Sequence, residues 1–350
     1  MGTGFSAVLS SAAHPLFGAS KTDGQYRLGI CAASCAIRSR MARQKGAPPQ
    51  LSRFAGPVGQ LQYFARYRSA CAQIGVGGWN RPGLVRQIRE EVEASGTKLE
   101  GQIRLPKDGS DVERFAAEVK FAKEAGVTIF RTACLGTRRY ETFHSLDEWT
   151  AFQARARKSL GLAEKVAAKM GVRLAVENHK DWRTEELLDL LRRIDSPHVG
   201  VNLDTGNNIA LLEDPMEVIE ALAPHALTLH LKDMGVAEYE DGFLLAEIPL
   251  GEGMVDIQKV VEICRKANPQ VQFNLEMITR DPLKIPCLTD EYWLTFGEVK
   301  GRVLASALKN VRRHNRDDLQ KIGRLPALEQ MAAEEENIRR SFDWWKGIYG

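Results

Sequence analysis

Acidic, imidazole and amide side chains occupy alternate positions near the ends of four apolar segments in the second half of the chain. In each segment one set of alternate positions includes a polar residue, namely Glu177, Asp204, His230 or Glu276. Apolar residues, mostly aliphatic, occupy the other set of alternate positions. Successive side chains of a strand point to opposite faces, so this alternation predicts four strands that carry the polar residues on one common face. The segments are RLAVENH, VGVNLDTGN, LTLHLKD and VQFNLEM.

Three carboxylates and one imidazole at one place require a compensating positive charge, because a buried carboxylate without a partner costs several kcal/mol. A divalent cation supplies that charge. The mixed oxygen and nitrogen donors favour Mn²⁺, with Mg²⁺, Co²⁺, Fe²⁺ or Zn²⁺ as alternatives. We therefore predict one divalent metal ion as the cofactor. The alternative is a salt-bridged cluster that uses Lys232, Arg131 or Arg104.

The elements that must position these residues alternate between short β-rich runs and helical stretches. Eight such units with short connections predict parallel strands and an α/β fold of the closed (β/α)8 TIM barrel type. A doubly wound sheet is the second choice, but AASCAIRSR after the first run is not a glycine-rich phosphate loop. The predicted strands are Arg27–Ala32, Cys71–Gly77, Lys98–Arg104, Val127–Ala133, Arg173–Asn178, Val199–Asp204, Ala226–Lys232 and Val271–Met277.

The rest of the chain divides around this barrel, which we place at residues 26–313. Residues 1–25 are predicted to be a flexible tail or the remnant of an export signal, since they begin with a small, apolar stretch that has no basic start. Residues 44–60 are predicted to be a loop. One continuous helix is expected over Glu291–Arg313, and residues 314–350 form a helical extension whose last helix, Ala327–Trp345, is a lid or a packing arm.

Composition excludes several classes of protein. The 350 residues are 44% hydrophobic and 27% charged, and 48 basic against 45 acidic residues leave little net charge, which argues against a nucleic-acid partner. No apolar run is long enough to span a membrane. The six cysteines form no CxxC pair, so no cysteine zinc site is indicated. The sequence as written predicts a cytoplasmic protein, and a twin-arginine signal upstream would make it periplasmic.

The segments LAVENH, VNLDTGN, LHLKD, PLGEGMVD and NLEM resemble the xylose isomerase-like barrel superfamily, in particular its sugar phosphate isomerase/epimerase group. The resemblance covers roughly residues 26–313 and is specific in the second half. It implies that Glu177, Asp204, His230 and Glu276 are the metal ligands. It also implies that PLGEGMVD is the loop after the seventh strand, in which two glycines let the backbone pass close to the site.

Departures from the family pattern narrow the function. The endonuclease members and the ketose 3-epimerases carry a histidine three residues after the strand-six aspartate, where this chain has Asn207. The second to fourth predicted strands contain no histidine, which disfavours the three-metal site of the endonucleases. The epimerases also have an arginine six residues after the strand-seven histidine, and Val236 stands there.

The resemblance implies a sugar isomerase or epimerase that removes a proton next to a carbonyl through a metal-stabilised enediolate. Glu177 and Glu276 would then be the catalytic acid and base. A lyase of the same fold, either a dehydratase or a 3-keto-glycoside-cleaving enzyme, is the alternative, followed by an endonuclease-like hydrolase or a non-catalytic sugar-binding barrel. The expected partner is a small sugar or keto-sugar, together with a second copy of the chain in a homo-oligomer. Candidate substrate-binding residues are His179, Asn207, Lys232, Trp182 and Arg280.

Overall fold

The computed structural model describes residues 27–350. The tail or export-signal remnant predicted for residues 1–25 lies outside the described residues. Within 27–350, no helix combines the length and the apolar composition that crossing a bilayer requires.

A closed barrel of eight parallel strands forms the centre of the molecule. Every predicted strand is present, each within its predicted bounds, and the first strand closes the barrel by pairing with both the second strand and the last barrel strand. The fold is therefore the predicted (β/α)8 TIM barrel. The barrel strands are β1 (Gly29–Cys31), β2 (Cys71–Gly75), β3 (Lys98–Gln102), β4 (Ile129–Thr132), β5 (Arg173–Glu177), β6 (Val199–Asp204), β7 (Ala226–Leu231) and β10 (Gln272–Leu275).

Helices surround the barrel, and aliphatic residues of the outward parity, such as Val176, Leu203 and Leu229, are buried beneath them. The α-helices are α1 (Ala36–Ala42), α2 (Pro49–Ser52), α3 (Pro57–Ala65), α4 (Leu84–Ser95), α5 (Val112–Glu124), α6 (Arg139–Thr142), α7 (Leu146–Met170), α8 (Thr184–Ile194), α9 (Pro215–Leu222), α10 (Ile257–Ala267), α11 (Asp290–Trp293), α12 (Gly301–Arg313) and α13 (Ala327–Tyr349).

One loop prediction and one helix prediction are wrong in detail. Residues 44–60 are not a loop, because α2 and the start of α3 lie there and each helix begins with a proline at its first position. Proline is tolerated at that position, since the missing N–H would have no partner in the helix. The helix expected over Glu291–Arg313 is divided into α11 and α12, and residues 294–300 between them are not helical.

A three-stranded antiparallel sheet was not predicted. It consists of β8 (Asp233–Tyr239), β9 (Gly242–Ile248) and β11 (Leu283–Ile285), in the order β11, β9, β8. The β8–β9 hairpin turns at Glu240 and Asp241, and Gly242 is the first residue of β9, paired with Tyr239. Gly242 has φ +149°, and a Cβ atom there would lie 2.3 Å from the carbonyl oxygen of Ile285, so β11 can pair closely only because this residue is glycine.

The last helix, α13, packs on the barrel. Its Glu334 carboxylate accepts hydrogen bonds from the backbone N–H groups of Ile37 (2.6 Å) and Arg38 (3.0 Å) in the first turn of α1. Further along α13, the ring of Trp345 lies 5.7 Å from that of Phe273 on β10. The helix therefore packs in the outer layer beside the last and first barrel strands. Of the two roles that the sequence suggested, a lid or a packing arm, these contacts are those of a packing arm.

Candidate metal centre in the barrel

The four residues predicted as metal ligands meet inside the barrel, at the carboxyl ends of its strands. Glu177 ends β5, Asp204 ends β6, His230 lies on β7 and Glu276 follows β10. One ligand atom from each lies within 4.8 Å of all the others, and all four side chains are buried. Consecutive parallel strands bring together residues that are nearly 100 positions apart in the chain.

The donor atoms fit a divalent cation. His230 Nδ1 lies 3.3 Å from Glu177 Oε2 and 3.3 Å from Glu276 Oε2, and 3.8 Å from Asp204 Oδ2. Within the described residues, the buried His230 Nδ1 has no hydrogen-bond partner, and the buried Asp204 Oδ2 lies 3.1 Å from Lys232 Nζ. An imidazole nitrogen that has no hydrogen-bond partner and faces three carboxylates is what an oxygen- and nitrogen-liganded cation would satisfy.

A glutamine orients the imidazole. His230 Nε2 lies 2.7 Å from Gln73 Oε1, which also accepts a hydrogen bond from Gln102 Nε2 at 3.1 Å. An amide oxygen at this position requires a proton on Nε2, so Nδ1 is the nitrogen that faces the carboxylates. Burial lowers the pKa of His230, but the negative charges around it, Glu276 foremost, outweigh burial and raise the pKa well above 6.5. The carboxylates thus attract a positive charge to the position of Nδ1.

A second buried acid lies one layer deeper in the barrel. Glu100 Oε2 accepts hydrogen bonds from Gln73 Nε2 (3.1 Å), Thr228 Oγ1 (2.9 Å) and Asn274 Nδ2 (3.0 Å). Burial raises the pKa of Glu100 despite these donors. Side chains from β2, β3, β7 and β10 therefore meet in the interior, where Thr228 and Asn274 lie on the same face of their strands as His230 and Glu276.

Basic residues also contact the acids, as the salt-bridge alternative required. Lys232 Nζ lies 2.7 Å from Glu276 Oε2 and 3.1 Å from Asp204 Oδ2, and Arg131 Nε donates to Glu177 Oε2. Arg104 is exposed. The arrangement therefore combines a cation-binding donor set with two basic neighbours that partly balance it.

Asn207 connects these groups. Its backbone N–H donates to Asp204 Oδ1 at 2.8 Å, and its Nδ2 donates to Glu177 Oε1 at 3.1 Å. Its Oδ1 accepts from Lys232 Nζ at 3.1 Å and from Lys180 Nζ. Asparagine in place of the family histidine thus supplies one acceptor for two ammonium groups.

The remaining candidate substrate residues differ in their positions. Arg280 is half-buried and donates a hydrogen bond to Glu247 of β9, with 3.1 Å between Nε and Oε2. His179 is half-buried, and burial together with the neighbouring cations lowers its pKa well below 6.5. Trp182 is buried in an aromatic cluster, 5.2 Å from Trp149 between ring centroids. Its contacts favour packing, and a substrate contact by Trp182 stays a prediction.

The two glycines of PLGEGMVD were expected to let the backbone pass close to the metal site. In the structure they lie against Asp233 and Trp344. A Cβ atom on Gly253 would lie 2.1 Å from Asp233 Oδ1, and one on Gly251 would lie 2.0 Å from Trp344 Nε1. Asp233 follows β7 and accepts hydrogen bonds from the N–H groups of both glycines, at 3.0 and 2.9 Å. The glycines therefore allow the loop to close on Asp233 and α13.

Sequence reasoning missed Gln73, Glu100, Lys180 and Glu247. The first two could have been found, because polar residues alternate with apolar ones in CAQIG and KLEGQ as they do in the later strands. Lys180 follows the end of β5, where alternation no longer applies. Glu247 reaches the site only through the unpredicted hairpin, for which the Asp241-Gly242 dipeptide was the available signal.

Comparison with known proteins adds a family and several relatives. The family model described as xylose isomerase-like TIM barrel matches residues 103–293, more than half of the chain. Over 96 residues the chain is 36% identical to 3-oxo-isoapionate decarboxylase of Pectobacterium atrosepticum, a stretch that is 27% of this chain and 35% of that protein. The chain thus matches about a third of the length of this curated relative.

Solved structures share the fold. A xylose isomerase-like TIM barrel protein from Mycobacterium smegmatis in complex with magnesium is 16% identical, with a TM-score of 0.55 over 81% of this chain and 98% of that one. A D-psicose 3-epimerase determined in the presence of D-fructose is 12% identical, with a TM-score of 0.59 over 93% of this chain and 99% of that one.

Proposed function

The chain belongs to the xylose isomerase-like TIM barrel family, and on that premise we propose that it is a divalent-metal-dependent enzyme that removes a proton next to the carbonyl of a small sugar or keto-sugar. One observation carries the proposal: four buried donor residues converge within 4.8 Å, and His230 Nδ1 among them has no hydrogen-bond partner in the described part of the chain. Isomerisation or epimerisation follows when the proton is returned to a different carbon or face.

In the proposed mechanism the metal ion, the two glutamates and their hydrogen-bond partners have separate roles. A bound divalent ion would supply Lewis-acid polarisation of the substrate carbonyl, which lowers the pKa of the adjacent C–H group. Glu177 and Glu276, which approach His230 Nδ1 from different strands, are the candidate base and acid. Asn207 and Arg131 hold Glu177 in place, and Lys232 holds Glu276. Burial of both carboxylates keeps water away from the proton that is transferred.

A lyase is the second candidate, favoured by the 36% identity to a 3-oxo-acid decarboxylase over part of the chain. The same enolate or enediolate can form by loss of carbon dioxide, or can expel a leaving group from the β carbon. Both routes use the same carbonyl site and differ in the bond that breaks.

Incubation of the Mn²⁺-loaded protein with candidate substrates in D₂O tests the proposal. D-fructose and D-psicose represent free ketoses, and a 3-keto-glucoside represents the lyase alternative. An isomerase or epimerase incorporates deuterium at the carbon next to the carbonyl. Release of the aglycone from the 3-keto-glucoside alone selects the lyase.

Variants of the two glutamates complete the test. Glu177→Gln and Glu276→Gln should each lower turnover by at least about 100-fold, because they remove proton acceptors. Glu334→Gln is the matched control, since Glu334 is also buried but lies on α13. Full turnover in both site variants, or product formation without deuterium, would refute the proton-transfer mechanism.

A further inference from the structure

Lys180 is a buried ammonium group for which the described residues offer little compensation. Its side chain belongs to a residue that is 2% exposed, and its Nζ bonds the neutral Oδ1 of Asn207. Within residues 27–350 it forms no salt bridge, whereas the three neighbouring cations each have a carboxylate partner. An ammonium group buried without an anion is costly, so such a group is a candidate for binding one.

The neighbourhood of Lys180 strengthens this argument. Lys232 Nζ contacts the same Asn207 Oδ1 at 3.1 Å, so the two ammonium groups are adjacent. Glu247, the acid of the β8–β9 hairpin, is bonded to Arg280. Burial and then the charge of Lys232 lower the pKa of Lys180 to about 7, although the charges of Glu247 and Asp204 act in the opposite direction.

The charge balance of the site points the same way. With His230 neutral, as metal ligation requires, four carboxylates (Glu177, Asp204, Glu247 and Glu276) face four basic side chains (Arg131, Lys180, Lys232 and Arg280), so their formal charges sum to zero without the metal ion. A divalent ion adds two positive charges to this buried space. A neutral sugar supplies one negative charge when it forms an enediolate, whereas a substrate that also carries a carboxylate supplies two.

We propose that the substrate is a sugar acid, in the class of 3-oxo or hydroxy acids, whose carboxylate binds Lys180 with Lys232 beside it. This inference rests on the proposed function, because it assigns the substrate class of the same site. Lys180 is then the residue that selects acidic over neutral sugars. A carboxylate can accept from both ammonium groups, which the single Asn207 oxygen now does.

Isothermal titration calorimetry with two matched probes tests the inference. L-threonate carries the carboxylate, and L-threitol is its neutral counterpart. Both are titrated into Mn²⁺-loaded protein and into metal-free protein, because a hydroxy acid can also chelate the metal directly. We expect threonate to bind at least about tenfold more tightly than threitol in both forms, since a desolvated charge pair contributes that much or more.

The variants locate the source of the preference. Lys180→Met should abolish the preference for threonate in the metal-free protein, and Lys180→Arg should retain part of it. Lys259→Met is the control, because Lys259 is an exposed lysine of α10. If a Lys180 variant does not fold, the affinities of threonate and threitol for the metal-free wild-type protein still test whether the site prefers a carboxylate.

Equal affinities for threonate and threitol in the metal-free wild type, or an unchanged preference in folded Lys180→Met, would overturn the inference. Deuterium exchange from a neutral ketose alongside that result would leave the proposed function intact. Failure to bind Mn²⁺ and absence of any exchange would instead overturn the proposed function, whatever the probes show.

Discussion

Replacing Gln73 by leucine should weaken metal binding, although Gln73 is not a proposed ligand. Its Oε1 lies 2.7 Å from His230 Nε2, and within the described residues this is the only hydrogen bond of that imidazole. Leucine leaves the Nε2–H group buried without a partner and frees the ring to turn. Loss of such a supporting contact typically weakens metal affinity about 10- to 100-fold, which is roughly 1.4–2.7 kcal/mol.

The fold should tolerate this change. Glu100 keeps its hydrogen bonds from Thr228 and Asn274, and Gln102 keeps its contact with Cys31. The Nε2–H group of His230 loses its partner, and Asn202 Oδ1 loses its 3.4 Å contact with Gln73 Nε2, so the free energy of unfolding should fall by about 1–3 kcal/mol. That loss leaves a stable domain of this size folded.

The assay is titration of Mn²⁺ into metal-free protein by calorimetry, with urea denaturation as the measure of folding. Gln87→Leu is the control, because Gln87 lies exposed on α4. Nitrogen-15 spectra of the histidines in metal-free protein should show a changed His230 signal in Gln73→Leu alone. A folded Gln73→Leu protein that binds Mn²⁺ within about twofold of the wild type would refute the orienting role of Gln73.

Three further outcomes are expected. Protein purified without chelator should contain roughly one divalent ion per chain by elemental analysis, and His230→Ala should lose it; wild-type protein without metal would contradict the cation site. Asp233→Asn should lower the free energy of unfolding in urea by about 3 kcal/mol, because an amide NH₂ faces two of the four N–H groups that the carboxylate accepts; an unchanged midpoint would be inconsistent with this. Burial raises the pKa of Glu334 from 4.5 to about 7, so the folded state binds the extra proton and the free energy of unfolding should fall by up to about 3 kcal/mol as pH rises between these values. Glu334→Gln should remove this fall, and parallel pH profiles of the two proteins would refute it.

The barrel and the four converging residues could be predicted because they depend on alternation within single strands. The inward positions of Glu177, Asp204, His230 and Glu276 follow from the period of two, and the closed parallel sheet brings their strand ends together. The predictions failed where local rules compete. Pro49 and Pro57 suggested a loop but begin helices, and the β8–β9 hairpin was not predicted.

The sequence by itself determined the fold, the identity of the acidic cluster and the requirement for a positive charge there. Only the tertiary structure decided which charges remain unbalanced, because that depends on distances between residues far apart in the chain. Arg280 forms an ion pair with Glu247, 33 positions away in the chain, and Lys232 forms one with Glu276. Lys180 instead donates a hydrogen bond to the neutral amide of Asn207. Residue types can be counted along a chain, but pairing between them is a property of three-dimensional contact.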